Sequence, residues 1–134
     1  YTSLEETLMD IKTATIFVED QSKALAFYTD ILGFRKVKDI DLGEFRWLTV
    51  STDGSGETEL LLEPNAHPAA KTYQEAIYAD GIPTTLFHSE DIHEEYRRLT
   101  AKGVSFKDKP LENGGVWIAI FDDDCGNWIQ LVQV

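Results

Sequence analysis

The stretch Arg46-Trp47-Leu48-Thr49-Val50-Ser51-Thr52-Asp53-Gly54-Ser55-Gly56-Glu57-Thr58-Glu59-Leu60-Leu61-Leu62 lies over Val116-Trp117-Ile118-Ala119-Ile120-Phe121-Asp122-Asp123-Asp124-Cys125-Gly126-Asn127-Trp128-Ile129-Gln130-Leu131-Val132 without a gap. Trp47 meets Trp117, Asp53 meets Asp123, Gly56 meets Gly126 and Leu61 meets Leu131. Upstream, Glu19-Asp20 matches Glu90-Asp91, and Gly33 matches Gly103. The chain therefore reads as two copies of one unit. Such a duplication implies a pseudo-twofold axis, with a shared cavity on that axis as the expected seat of function.

Working outward, each copy reads as strand, helix and three strands. Residues 11–18 are β-branched and aromatic, which suits a buried strand. Asp20 opens a helix whose stripe is Ala24, Phe27, Tyr28, Ile31 and Leu32, and Gly33 supplies the left-handed stop. Strands are predicted near 34–40, 44–52 and 57–63. Asn65 and Pro68 mark the entry of a linker helix with Ala70, Tyr73 and Ile77 on one face. In the second copy a strand near 82–88 precedes a helix capped by Ser89, with the stripe Ile92, Tyr96 and Leu99. Gly103 ends it, and strands follow near 104–108, 115–122 and 127–133. The expectation is an α+β fold of two βαβββ modules in one domain: module 1 about 11–64, a linker helix about 65–79, and module 2 about 81–134.

Composition narrows the function classes. Twelve basic residues stand against 24 acidic ones, giving net charge −12 in 134 residues. That charge repels phosphate backbones and anionic bilayers, so neither nucleic acid nor membrane is expected as a partner. The single cysteine, Cys125, permits no internal disulfide. No apolar run approaches the roughly 20 residues of a membrane span. The segment Tyr1 to Leu8 is acidic and lacks a long apolar core, so no signal peptide is read there, and a cytoplasmic protein is expected.

Strand parity assigns faces. With Leu48, Val50, Ile118 and Ile120 on the helix side, Trp47, Thr49, Trp117, Ala119 and Phe121 point into the cavity. With Leu61 and Leu131 under helices, Leu60, Leu62, Trp128, Gln130 and Val132 point inward. Thr13, Thr15 and Phe17 join them from the first strand, and Thr84, Leu86 and His88 from its counterpart. All three tryptophans then fall on one side, where they either wall a ligand pocket or fill core.

Val18-Glu19-Asp20, Ala24, Phe27-Tyr28 and Ile31-Leu32-Gly33-Phe34 resemble the first-module signature of the glyoxalase/bleomycin-resistance, or vicinal oxygen chelate, superfamily. Phe121, Asp123, Gly126-Asn127 and Gln130-Leu131 resemble its final-strand signature, which has a carboxylate where Gln130 stands. The resemblance implies paired modules, a cupped mixed sheet around a central site, and a homodimer. The superfamily hosts lyases, epimerases, dioxygenases and metal-free binding proteins, so the fold does not choose the chemistry. Its metal enzymes place His or Glu on the first and last strand of each module. Those places hold Thr13, Leu60, Thr84 and Gln130, a poor set for a divalent metal, so no metal and no cofactor are expected.

Other chemistry is sparse. His88, at inward parity near a strand end, is a candidate base or hydrogen-bond partner, or a rim histidine. Arg46 is a candidate partner for a substrate carboxylate if it reaches the cavity mouth, although alternation points it away. His67 and His93 share no ligand spacing with it. Glu59 and Glu63 read as solvated strand ends. Asp122-Asp123-Asp124 lacks the alternate spacing of a calcium loop and reads as a hairpin turn. The predicted ligand-binding set is Thr13, Phe17, Trp47, Leu60, Thr84, His88, Trp117, Phe121, Trp128 and Gln130, with His88 and Arg46 as catalytic candidates. The favoured function is metal-free binding of a hydrophobic or aromatic small molecule. The alternative is an enzyme of this superfamily, a lyase, isomerase or dioxygenase, with a non-standard metal site or metal-free acid–base catalysis.

Overall fold

The structure, a computed structural model, describes residues 5–134; the part of the leader reading that rests on residues 1–4 lies outside the described residues. Strand β1 (Thr13–Val18) leads into α1 (Gln21–Ala26), which continues into one π-helical turn over Phe27–Ile31. β2 (Arg35–Asp41), β3 (Arg46–Ser51) and β4 (Glu59–Pro64) complete the first module. Helix α2 (Pro68–Ala79) leads to β5 (Pro83–His88), α3 (Ile92–Ala101), β6 (Leu111–Asn113), β7 (Val116–Asp122) and β8 (Trp128–Gln133). The result is α+β: two four-stranded mixed sheets, ordered β1-β4-β3-β2 and β5-β8-β7-β6. In each, the first strand runs parallel to the last.

Local chemistry explains the boundaries. The Asp20 carboxylate accepts the Lys23 amide at 3.0 Å and caps α1. Asp91, rather than Ser89, caps α3, accepting the Glu94 amide at 3.1 Å, while the Ser89 hydroxyl accepts the Asp91 amide. A carboxylate is the stronger acceptor at the positive helix end. The His67 ring accepts the Ala69 amide and caps α2 ahead of Pro68. The strand expected near 104–108 shrinks to one bridge, Phe106 to Phe121, and ladder pairing resumes only after Pro110, which has no amide to give.

Both sheets turn their helix-bearing faces to one core. Ile16, Val18, Leu48, Val50 and Leu62 of the first sheet share it with Ala119, Phe121, Ile129 and Leu131 of the second, and with Phe27, Tyr28, Ile92 and Leu99 of the helices. Phe27 stacks on Phe121 at 6.3 Å, and Phe34 meets Phe87 edge-on at 5.3 Å. Side chains of the two helix-bearing faces fill the space between them, and the other face of each sheet looks away from this core.

One buried polar knot joins the modules. Asp123 is fully buried and accepts the Tyr28 hydroxyl at 2.7 Å, the Cys125 amide at 2.8 Å, and both the amide and side-chain NH2 of Asn127 at 3.0 and 2.9 Å. The Asn127 NH2 also donates to the Phe17 carbonyl at 2.8 Å, and Gln74 of α2 donates to that same carbonyl at 2.9 Å. Burial pushes the Asp123 carboxyl above its ordinary range despite these donors, and burial beside Asp123 pushes the Tyr28 hydroxyl well up. Replacing Tyr28 with Phe removes the donor but keeps the ring. We expect Tyr28→Phe to lose about 1–3 kcal/mol in urea unfolding, with the slope unchanged. A wild-type midpoint would show that the knot does not hold the modules.

Candidate functional site

The registers correct the alignment of the two copies. Ile16 pairs with Leu62, and Phe87 with Leu131; each first-strand residue stands four before the capping aspartate, Asp20 or Asp91. Leu62 therefore corresponds to Leu131. Val50 pairs with Leu60, ten residues on, whereas Phe121 pairs with Ile129, eight on. The β3–β4 connection is two residues longer, and the gap-free overlay averages this away by placing each strand one residue out. A one-residue error flips every side chain to the other face. Trp47 thus corresponds to Ile118, Arg46 to Trp117, and Leu61 to Gln130.

The corrected outer face of the first sheet carries Thr13, Thr15 and Phe17 from β1, Glu59, Leu61 and Glu63 from β4, Trp47 and Thr49 from β3, and Lys38 and Ile40 from β2. The outer face of the second carries Leu86 and His88, Ile118 and Ile120, and Trp128, Gln130 and Val132. Apolar side chains lie open on both. Trp47 is 38% exposed and Ile40 50%, while Leu86 is 54% and Leu111 52%.

The predicted set divides accordingly. Thr13, Phe17 and Trp47 share the first outer face, and Trp128, Gln130 and His88 the second. Leu60 sits instead on the helix side, against a small cleft with Phe87. Trp117 faces α3, where the His93 ring meets it edge-on at 4.5 Å. Phe121 is fully buried in the core. Thr84 falls in a register shift of β5, and its hydroxyl turns to the Asn127 side chain at 3.2 Å. Trp128 is anchored by the linker helix: it stacks on Tyr78 at 5.2 Å and donates to the Tyr78 carbonyl. The Tyr78 hydroxyl donates in turn to Asp122, which holds it up at about 12.

The two catalytic candidates stand apart. His88 lines a cleft of about 650 Å3 between the modules, beside Phe87 and Glu90. Arg46 is engaged elsewhere: its guanidinium grips Asp39 through two nitrogens at 2.9 and 2.7 Å, and the third donates to Ser22. The guanidinium holds the Asp39 carboxyl below its usual range. Arg46 is thus a strut between β2 and α1, and its fork is not free for a substrate carboxylate.

Sequence reasoning missed a polar station in the first outer face. Thr49 is fully buried and Glu59 nearly so. The Thr49 hydroxyl accepts the Lys38 amide at 3.1 Å and so gives its proton to Glu59 at 2.6 Å. The Lys38 ammonium donates to the other Glu59 oxygen at 3.2 Å. The signal was the turn length, since correct parity puts Glu59 on the same face as Trp47. The Thr49 hydrogen bond first, and Lys38 after it, hold the Glu59 carboxyl below the ordinary glutamate range against the opposing effect of burial.

The four strand positions do not fit a metal. With Leu61 in place of Leu60, the set is Thr13, Leu61, Thr84 and Gln130, and Leu61 is no better a ligand. Glu59 is already satisfied by a hydroxyl and an ammonium. Among the described residues, no three His, Cys, Asp or Glu side chains converge to hold an ion.

The model of the Glyoxalase/Bleomycin resistance protein/Dioxygenase superfamily matches residues 10–131. The chain belongs to this superfamily. It is 56% identical over 126 residues to YurT of Bacillus subtilis (strain 168), covering 93% of this chain and 99% of that protein. The crystal structure of UcmS2 superposes with a TM-score of 0.81 at 34% identity, covering 94% of this chain and 98% of that one. TnmS3, described as an antibiotic binding protein from Streptomyces sp. CB03234, gives 0.76 at 27% identity, covering 96% and 98%. No helix among the described residues is long and apolar enough to cross a membrane.

Two predictions follow the corrected faces. Trp47→Ala should cost less stability, about 1 kcal/mol, because the residue is partly open to water on the outer face, whereas Trp117→Ala, under α3, should cost about 2–3 kcal/mol. Equal losses in chemical denaturation would contradict the assignment. Separately, Thr49→Val should raise the Glu59 titration more than Lys38→Met, read by carbon-13 NMR of the carboxyl. Because the folded value is depressed, the stability Glu59 contributes is present above the unfolded glutamate range and fades as pH falls through the folded value. A larger rise in Lys38→Met would show that the ion pair, not the hydroxyl, sets the charge.

Proposed function

We propose that this protein binds a hydrophobic or aromatic small molecule without a metal, on the outer sheet faces. The observation that carries the reading is the open apolar surface there: Trp47 beside Ile40 on one sheet, Leu86 and Leu111 on the other. Each face is half of an enclosure. A homodimer that sets the first outer face of one copy against the second outer face of its partner would bury both halves and close a pocket between them. Flat aromatic walls with few polar groups suit an apolar ligand. The donor set argues against metal chemistry, and the likeness to an antibiotic binding protein supports sequestration over turnover.

The test is a panel of apolar aromatics read by thermal shift and by tryptophan fluorescence, with the mass in solution followed by light scattering. A ligand at 100 times its dissociation constant should add about 2.7 kcal/mol. The effect should survive chelator, weaken in Trp47→Ala, and occur in a dimer. Added zinc should leave the melting temperature unchanged. A stoichiometric, saturable stabilisation by zinc, or binding indifferent to Trp47, would overturn the reading.

A further inference from the structure

On the first outer face one polar group lies beside Trp47 and Ile40, and its place is constructed. In β2 the register against β3 slips between Lys36, which pairs with Val50, and Lys38, which pairs with Thr49. Val37 is the extra residue of a β-bulge. Val50 belongs to the helix side and Thr49 to the outer side. Continued without the bulge, the ladder would pair Lys38 with Leu48 and aim its side chain at the core. The bulge re-aims it outward, a use that bulges serve beside binding sites.

Once outward, the ammonium is held. Glu59 lies beneath it with its side chain only 3% exposed, while Lys38 remains 50% exposed. The Thr49 hydroxyl, committed to Glu59 by the Lys38 amide, fixes the carboxylate in place. An ammonium has three protons. One goes to Glu59, and the other two find no acceptor among the described residues. Ile40 and Trp47 are direct partners one pair further along the same face, so the Trp47 ring is a diagonal neighbour of Lys38.

We propose that Lys38 is a specificity-determining residue: it hydrogen-bonds a neutral oxygen acceptor, such as a ketone, on an aromatic ligand laid against Trp47. This rests on the reading that the face takes an aromatic molecule. The acceptor is neutral because Glu59 already balances the lysine charge, and because a chain of net charge −12 disfavours an approaching anion. Lys38 supplies direction, Trp47 supplies area, and Glu59 with Thr49 positions the donor.

Three probes with one ring system separate these contributions: 2-acetylnaphthalene, its oxygen-free analogue 2-isopropylnaphthalene, and the anion 2-naphthoate. In wild type the ketone should bind about tenfold tighter than the hydrocarbon, as one hydrogen bond from a charged donor allows. Lys38→Met should bring the two within about twofold. Trp47→Ala should weaken both alike and keep their ratio. Glu59→Gln, which leaves the lysine charge unbalanced, should move preference toward the naphthoate. Circular dichroism checks that each variant is folded. A ketone-to-hydrocarbon ratio that is unity in wild type, or unchanged in Lys38→Met, overturns the assignment of Lys38 while the binding face stands. Failure of all three probes to bind the wild type overturns the binding face itself, and the role of Lys38 with it.

Discussion

A carboxylate buried in a turn organises this molecule. Asp123 takes four donors, one of them the Tyr28 hydroxyl from the other module. A buried carboxylate is tolerated only when its lone pairs are satisfied, so the turn and the π-helical segment that supply its donors are held together. Gln74 and Asn127 extend the same constraint to the end of β1. The consequence is directional. With the helix-bearing faces pinned inward, residues of opposite parity are delivered to the outer faces, although Thr49 and Glu59 are covered there by their neighbours. The outer faces are therefore open because the modules are locked back to back, and they are left free for contact with other molecules.

Much of this was legible in the chain. Asp20 and Gly33 bracket the first helix as their chemistry requires, and Pro68 opens the linker helix. The paired β1 and β5 patterns, with their following helices, mark the duplication, which is why the fold class could be read from residues alone. Faces were harder. The overlay of Trp47 on Trp117 draws the two copies into a gap-free alignment. Yet the hairpin after β3 is two residues longer, and the tryptophans lie on opposite sides of their sheets. Loop length is poorly constrained by composition, whereas parity depends on it completely.

The same error hid the polar group of the first outer face. The residues alone make Glu59 a solvated strand end, because a carboxylate at the first residue of a strand is usually that. What makes it otherwise is long-range: a hydroxyl from β3 and an ammonium from β2, brought over by a bulge that no periodicity announces. Arg46 shows the converse. The residues alone make it a candidate only if it reaches the cavity mouth, and the structure instead engages all three of its nitrogens with Asp39 and Ser22. Charge in a sequence is potential chemistry, and only the neighbours say whether it is spent.

The extra residue at Val37 bears on how such proteins diversify. Whether this ammonium sits among buried aliphatics or on the outer face turns on the presence of one codon, not on the identity of any side chain. In a barrel or a helix, altering selectivity usually means changing what a position carries. At the rim of this sheet, insertions and deletions can exchange one side's chemistry for the other's in a single step, leaving the packed interior untouched. Descendants of one ancestral gene could therefore differ sharply in what they retain while remaining superimposable in backbone.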